Sequence, residues 1–110
     1  MDVEVIRRKG RSKDFVLTRH AAQECAKDRI NGEDLLQAIS SSKVIEEYPE
    51  DVRGLSCLVL GHTKNGRPIH VVLGNLDVDV LTVITAYRPD LQPYRWSEDY
   101  HRRKKGSNDD

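Results

Sequence analysis

Aromatic residues and cysteines are scarce in this chain of 110 residues, which has one Phe, one Trp, four Tyr and two Cys. Aliphatic side chains must therefore form most of the core, and the length suffices for a single core only. Two cysteines do not make a disulfide framework in a chain of this size. We expect Cys25 and Cys57 to be reduced, buried thiols.

Net charge and long apolar runs are also lacking. Lys and Arg together number 18, as do Asp and Glu, so the overall charge gives no reason to expect a nucleic acid partner. Basic residues are instead concentrated in residues 7–13 and 101–105, where patches could meet an anion. No apolar run approaches the roughly 20 residues that span a bilayer, and Asp2 directly after Met1 is atypical of a secretory leader. These features predict a cytoplasmic protein with no membrane contact.

Helix and strand patterns follow one another along the chain. Thr18 is a typical N-cap for a helix that ends near Asp28, and a second helix is expected from Glu33 to about Ser40. Residues 3–8 fit either a short helix or an edge strand. Short runs rich in β-branched residues and bounded by Gly, Pro, Asn or Asp predict strands within 15–17, 44–48, 56–62, 65–74 and 80–89.

The expected architecture is α+β. Short links between the last four strands require antiparallel neighbours, so two N-terminal helices must cover one face of a mainly antiparallel sheet of four to five strands. In this interpretation residues 14–96 form the domain. Residues 1–13 are a basic N-terminal extension, and residues 97–110 are a basic, disordered tail.

Two neighbouring strands carry the side chains that suggest chemistry. Because side chains alternate along a strand, His70 points away from the aliphatic stripe of Ile69, Val71 and Leu73. The other polar candidates on these strands or at their ends are Arg67, Thr85, Tyr87 and Arg88. Together they predict a surface that handles anions and protons, because a guanidinium matches two phosphate oxygens.

Four short motifs resemble those of a known family, in the same order. They are Thr18-Arg19-His20-Ala21, the segment 44–49, the segment 66–72, and the segment 84–89 followed by Arg95-Trp96. Over residues 14–96 the chain resembles the domain of unknown function 4258. The resemblance implies a fold similar to the RelE/ParE and MqsR toxins and metal-independent cleavage of RNA. The partners it implies are RNA, which could be ribosome-bound, and a cognate antitoxin that could carry a zinc-finger domain. A homodimer is also compatible with it.

Metal-independent RNA cleavage needs a general base, a general acid and cations directed at phosphate. The catalytic candidates are His70, His20, Tyr87 and Thr85, and the substrate-binding candidates are Arg67, Arg88, Lys27 and Arg95. Each has an ordinary structural alternative; His70, for example, would be a strand histidine bonded to a carbonyl group. No cofactor is expected.

A metal site is not expected either. Cys57 and His62 are five positions apart, so on one strand they face opposite ways. On a helix, His20 and Cys25 lie about 140° apart, which is poor geometry for a shared ion.

The sequence departs from the family pattern after His20. Members often carry arginines four and eight positions later, where Glu24 and Asp28 stand here. Two functions therefore stay open: a toxin-like endoribonuclease of a toxin–antitoxin system, and a non-catalytic RNA- or protein-binding module of the same fold. A third alternative is a regulatory protein that pairs a sheet edge with a partner strand or with itself.

Overall fold

The computed structural model describes residues 2–49 and 55–104. Within these ranges the elements are α1 (Val3–Arg11), β1 (Phe15–Leu17), α2 (Arg19–Lys27), α3 (Gly32–Ser40), β2 (Lys43–Tyr48), β3 (Ser56–His62), β4 (Pro68–Gly74) and β5 (Leu81–Tyr87). Two 3-10 turns, Pro89–Leu91 and Pro93–Arg95, follow β5. The predicted α+β class is confirmed, although the described residues contain three helices where the sequence predicted two. Not one of these helices combines the length and the apolar character needed to cross a membrane.

The five strands form one sheet in the order β1-β5-β4-β3-β2. β1 runs parallel to β5, and the other neighbouring pairs are antiparallel, as predicted. His70 lies directly opposite Tyr87, and Val72 lies opposite Thr85. Residues that are directly opposite share a face, so these four side chains project from the same side of the sheet.

Residues 3–8, for which helix and edge strand were both open, are helical and belong to α1, which continues to Arg11. Asp2 caps this helix by accepting a hydrogen bond from the N–H of Glu4, and basic residues occupy the last turn, where they complement the helix dipole. Ile6 is buried. Gly10 lies so close to α3 that an added Cβ would stand 2.7 Å from Cγ2 of Ile39. The basic N-terminal segment therefore includes a helix that packs on α3.

The main core lies between the helices and one face of the sheet. Its fully buried members include Leu35, Ile39, Cys57, Val59, Ile69, Val71, Leu73 and Val83. Thr18 caps α2 as predicted, and Asn31 forms a capping box with Asp34 at the start of α3. At Gly61 an added Cβ would overlap the carbonyl oxygen of Ala38, so α3 lies directly on β3. Cys25 and Cys57 are free, buried thiols, as expected.

The opposite face of the sheet is covered by the chain that follows β5. Leu58, Leu60 and His70 are buried there, and Trp96 is only 2% exposed. Residues 96–104, which we call the C-terminal strap, turn back on themselves: the N–H of Ser97 donates to the carbonyl of Arg102. Residues 97–104, which the sequence predicted to belong to a disordered tail, are thus folded onto the sheet. The rest of that tail lies outside the described residues.

Candidate functional site

His70 lies at the centre of the sheet face beneath the strap. Its side chain is fully buried, with Nδ1 3.2 Å from the hydroxyl oxygen of Tyr87 and Nε2 2.9 Å from the carbonyl oxygen of Tyr100. A carbonyl oxygen only accepts, so Nε2 carries the proton and Nδ1 accepts from the hydroxyl of Tyr87. The ring of Trp96 meets His70 edge to face, with 4.2 Å between centroids.

The charge state of His70 follows from this burial. Desolvation lowers its pKa to about 4, although the Tyr100 carbonyl and the Glu46 carboxylate act in the opposite direction. The ring is therefore neutral at pH 7, and both of its nitrogens are engaged. A general acid or base must reach its substrate. In this arrangement His70 instead orients the phenol of Tyr87.

An ion pair holds the strap on the sheet. Nε of Arg103 lies 2.9 Å from Oε2 of Glu46, and Nη2 lies 3.2 Å from Oε1, which also accepts from the hydroxyl of Tyr48. The Arg103 guanidinium lies over Trp96 as well, 4.9 Å from the ring centroid. Burial would raise the pKa of Glu46, but the hydrogen bonds from Arg103 and Tyr48 lower it overall.

Sequence reasoning missed the part that Glu46 plays in this site. The signal was present, because Glu46 and Tyr48 are two positions apart on β2 and side chains with that spacing share a face. What the sequence could not provide was the partner, since Arg103 is 57 positions further along the chain.

A cleft of about 410 Å³ opens where α2, the end of β5 and the strap meet. Its cationic and aromatic lining consists of Lys27, Arg88, Arg95, Arg103, Tyr87 and Trp96. Glu24 and Asp28 line the same cleft, so the two carboxylates that stand where family members often have arginines face these cations. The result is a mixed surface with four cations and two anions.

Three of the cations have carboxylate partners. Nζ of Lys27 lies 3.7 Å from Glu24, and Nη2 of Arg88 lies 2.9 Å from Asp90, which raises the pKa of Arg88. Arg103 is bound to Glu46. Arg95 differs: among residues 2–49 and 55–104 no carboxylate pairs with it, and its guanidinium carbon lies 5.8 Å from the ring centroid of Tyr94. Tyr94 is 60% exposed.

The structure brings together some of the predicted site residues and separates others. Lys27, Tyr87, Arg88 and Arg95 line one cleft, with His70 beneath Tyr87. Thr85 lies on the same sheet face, outside the lining of the cleft.

Two candidates lie elsewhere. Arg67 lies near α3, where its Nη2 is 3.1 Å from Oδ2 of Asp34. His20 is exposed at the second position of α2. No three His, Cys, Asp or Glu side chains within the described ranges converge in a way that could hold a metal ion.

One of the three comparisons with known proteins, the one with family models, agrees with the resemblance to the domain of unknown function 4258. The family model described as Domain of unknown function (DUF4258) matches residues 17–88, more than half of the chain. The match contains His70, Tyr87 and Arg88, whereas Arg95 and the strap lie beyond it. Searches of the curated proteins and of the solved structures gave no significant match. The chain belongs to the DUF4258 family of domains of unknown function.

Proposed function

We propose that this protein is a non-catalytic RNA-binding module that takes a single-stranded segment at the cleft. The observation that carries the proposal is the grouping of four cationic side chains in one concave surface, with the exposed ring of Tyr94 beside Arg95. Guanidinium groups match phosphate oxygens, and exposed aromatic rings stack with bases. Arg95 and Tyr94 supply both features side by side, in solvent and without a competing carboxylate among the described residues.

The burial of His70 favours binding over cleavage. With its ring neutral, fully buried and bonded through both nitrogens, no titratable nitrogen of this residue faces the cleft. Glu24 and Asp28 add negative charge where a nuclease would gather cations. Glu24 pairs with Lys27, and Asp28 accepts from the backbone N–H of Arg88. Neither carboxylate pairs with Arg95, so Arg95 is the main contact for phosphate.

Binding of a labelled, unstructured RNA of about 12 nucleotides, followed by fluorescence anisotropy over a series of salt concentrations, tests this proposal. Arg95→Gln should weaken binding and reduce the slope of log affinity against log salt by about 0.7, the value for one phosphate contact on a single strand. Arg8→Gln is the matched control, because Arg8 is exposed on α1, away from the cleft. Equal effects of the two substitutions, or none, would rule out the cleft as the binding site.

The second candidate is the toxin-like endoribonuclease. It is favoured by one observation, the phenol of Tyr87, which lines the cleft among Arg88, Arg95 and Arg103 and is oriented by His70. In this function Tyr87 would act on the scissile phosphate, with His70 as its positioning residue. After α1, which the resemblance does not imply, the order β1-α2-α3-β2-β3-β4-β5 supports this candidate, because it is the order of the RelE/ParE-like fold that the family resemblance implies. A cytoplasmic location, ribosome-bound RNA and a cognate antitoxin, with or without a zinc-finger domain, belong to this candidate, as does a homodimer.

Incubation of pure protein with total RNA and EDTA separates the two functions. If the protein is an endoribonuclease, the wild type should produce RNA fragments, and these should be absent with Tyr87→Phe, a substitution that removes only the hydroxyl. The binding module predicts intact RNA with the wild type and with the variant, together with the Arg95-dependent affinity.

A further inference from the structure

The strap is anchored at two points, with a less firmly held segment between them. Trp96 precedes this segment and is only 2% exposed, and Arg103 follows it and is bonded to Glu46. The segment itself, residues 97–102, contains no buried residue: three of its members are exposed and three are half-buried. We call these six residues the lid. Because no lid residue is buried, lifting the lid removes little apolar surface from contact with the sheet.

A single hydrogen bond joins the lid to the sheet in the described part of the chain. Nε2 of His70 donates to the carbonyl of Tyr100 at 2.9 Å. The other hydrogen bonds of the lid are internal: Oδ1 of Asp99 accepts from the hydroxyl of Ser97 and from the N–H of His101, and the N–H of Tyr100 donates to the carbonyl of Ser97. The lid therefore keeps its shape through its own contacts and can leave the sheet as a unit.

Tyr100 is strained in the closed lid. Its φ is 65°, in the left-handed region, which is unfavourable for a residue with a large side chain. A residue keeps such a conformation only while its surroundings hold it there. Tyr100 also supplies the carbonyl to which His70 donates, so breaking this one hydrogen bond frees Tyr100 to leave the strained conformation.

From these observations we propose that residues 97–102 are a lid that opens while the rest of the fold stays intact, and that its opening gives solvent and ligands access to Nε2 of His70. In the closed state the carbonyl of Tyr100 occupies this nitrogen. In the open state Nε2 is free to exchange a proton with a ligand, while Nδ1 keeps its contact with the hydroxyl of Tyr87. The lid is thus a gate to the pair formed by His70 and Tyr87, and the proposal does not depend on RNA binding.

Modification by diethyl pyrocarbonate, measured by mass spectrometry, tests the gate, because this reagent acylates a histidine nitrogen only where it can reach it. His62 is exposed and provides the internal reference. We expect His70 to react much more slowly than His62 in the wild type. Asp99→Ala removes the acceptor of two lid hydrogen bonds and should speed the reaction of His70 about ten-fold, the effect of losing about one net hydrogen bond.

Glu98→Ala is the matched control. Glu98 is the exposed neighbour of Asp99 in the lid, and it has no hydrogen bond or ion pair within residues 2–49 and 55–104. This variant should modify His70 at the wild-type rate. Equal rates in the wild type and Asp99→Ala, or equal acceleration by the two substitutions, would overturn the proposal.

Urea separates opening of the lid from unfolding of the whole protein. A local opening exposes little surface, so the rate at His70 should change little at urea concentrations below the unfolding transition. A rate that rises with urea as steeply as the population of unfolded protein would show that His70 becomes accessible only by global unfolding, and the lid would be refuted. A wild type in which His70 reacts as fast as His62 would refute it too. These two measurements use the wild type alone, so they remain decisive even if Asp99→Ala is destabilised.

Discussion

Lowering the pH from about 7.5 to about 5 should destabilise this protein through the buried ring of His70. In the folded state burial holds the pKa of His70 near 4, whereas its ordinary value is 6.5. At pH values between these two, the side chain of His70 binds a proton in the unfolded chain but not in the folded protein. The stabilising contribution is therefore complete above about pH 6.5 and is lost progressively as the pH falls towards 4.

The size of the loss follows from the same two pKa values. A difference of one between the folded and unfolded pKa corresponds to about 1.4 kcal/mol. Lowering the pH from the unfolded pKa of His70 to about pH 5 covers about 1.5 pH units of the interval between its two pKa values, so the free energy of unfolding should fall by about 2 kcal/mol. The lowered pKa of Glu46 adds acid sensitivity only below its ordinary value of 4.5, so it does not contribute in this window. Urea unfolding followed by the fluorescence of Trp96, the single tryptophan, measures this quantity.

His70→Gln provides the decisive comparison. Gln keeps an N–H donor for the Tyr100 carbonyl but does not titrate. The variant should therefore be less stable than the wild type at about pH 7.5, while its stability changes little between about pH 7.5 and 5. His62→Gln is the matched control, because His62 is exposed at the end of β3, and it should retain the wild-type slope. A wild type that loses less than about 0.5 kcal/mol, or a His70→Gln variant with the wild-type slope, would mean that the buried ring of His70 does not cause the acid sensitivity.

Two further predictions concern packing and the strap. Gly61→Ala should lower the free energy of unfolding by about 3 kcal/mol or more, because its Cβ would overlap the carbonyl of Ala38. At Gly32 an added Cβ would meet no atom within 4 Å, so Gly32→Ala should be neutral or stabilising in thermal unfolding. Glu46→Gln should lower the free energy of unfolding by about 1 kcal/mol, because it weakens the ion pair with Arg103. It should also speed hydrogen exchange at the N–H of Lys104, which donates to the carbonyl of Arg95 at 2.8 Å. Glu47→Gln, on the same strand, should leave that exchange rate unchanged. An unchanged rate in the Glu46→Gln variant would mean that the ion pair does not hold the strap.

Local rules account for the parts of the fold that the sequence predicted. Thr18 caps α2 because a side-chain oxygen satisfies a free N–H at a helix start, whatever the rest of the chain does. The pairing of His70 with Tyr87 follows from alternation along two adjacent strands. α1 could not be assigned in the same way, because nine residues show little periodicity. Its position depends on the contact of Gly10 with Ile39, a tertiary contact.

The site was harder to predict because its parts are distant in sequence. A run of basic residues near the C-terminus is usually solvated, and nothing local to Arg103 indicates that Glu46 binds it. Arg67 is a different case. It lies two and four positions before Ile69 and Val71, so alternation along β4 places its side chain on their face of the sheet and not on the face of His70. In the structure Arg67 pairs with Asp34 of α3. The alternation of side chains along β4 thus extends to Arg67, the residue just before the strand, and it predicts the face of the sheet on which Arg67 lies.

The strap limits which cations of the cleft can serve a ligand. Arg103 cannot move to a phosphate without leaving Glu46 and Trp96, and the strap that would then loosen also supplies the Tyr100 carbonyl to the buried ring of His70. Arg88 is likewise held by two bonds to Asp90. Arg95 can turn to a ligand without breaking an ion pair among the described residues. Binding at the cleft should therefore depend on Arg95 more than on Arg103, although both line it, and the loss caused by Arg103→Gln should appear mainly as loosening of the strap.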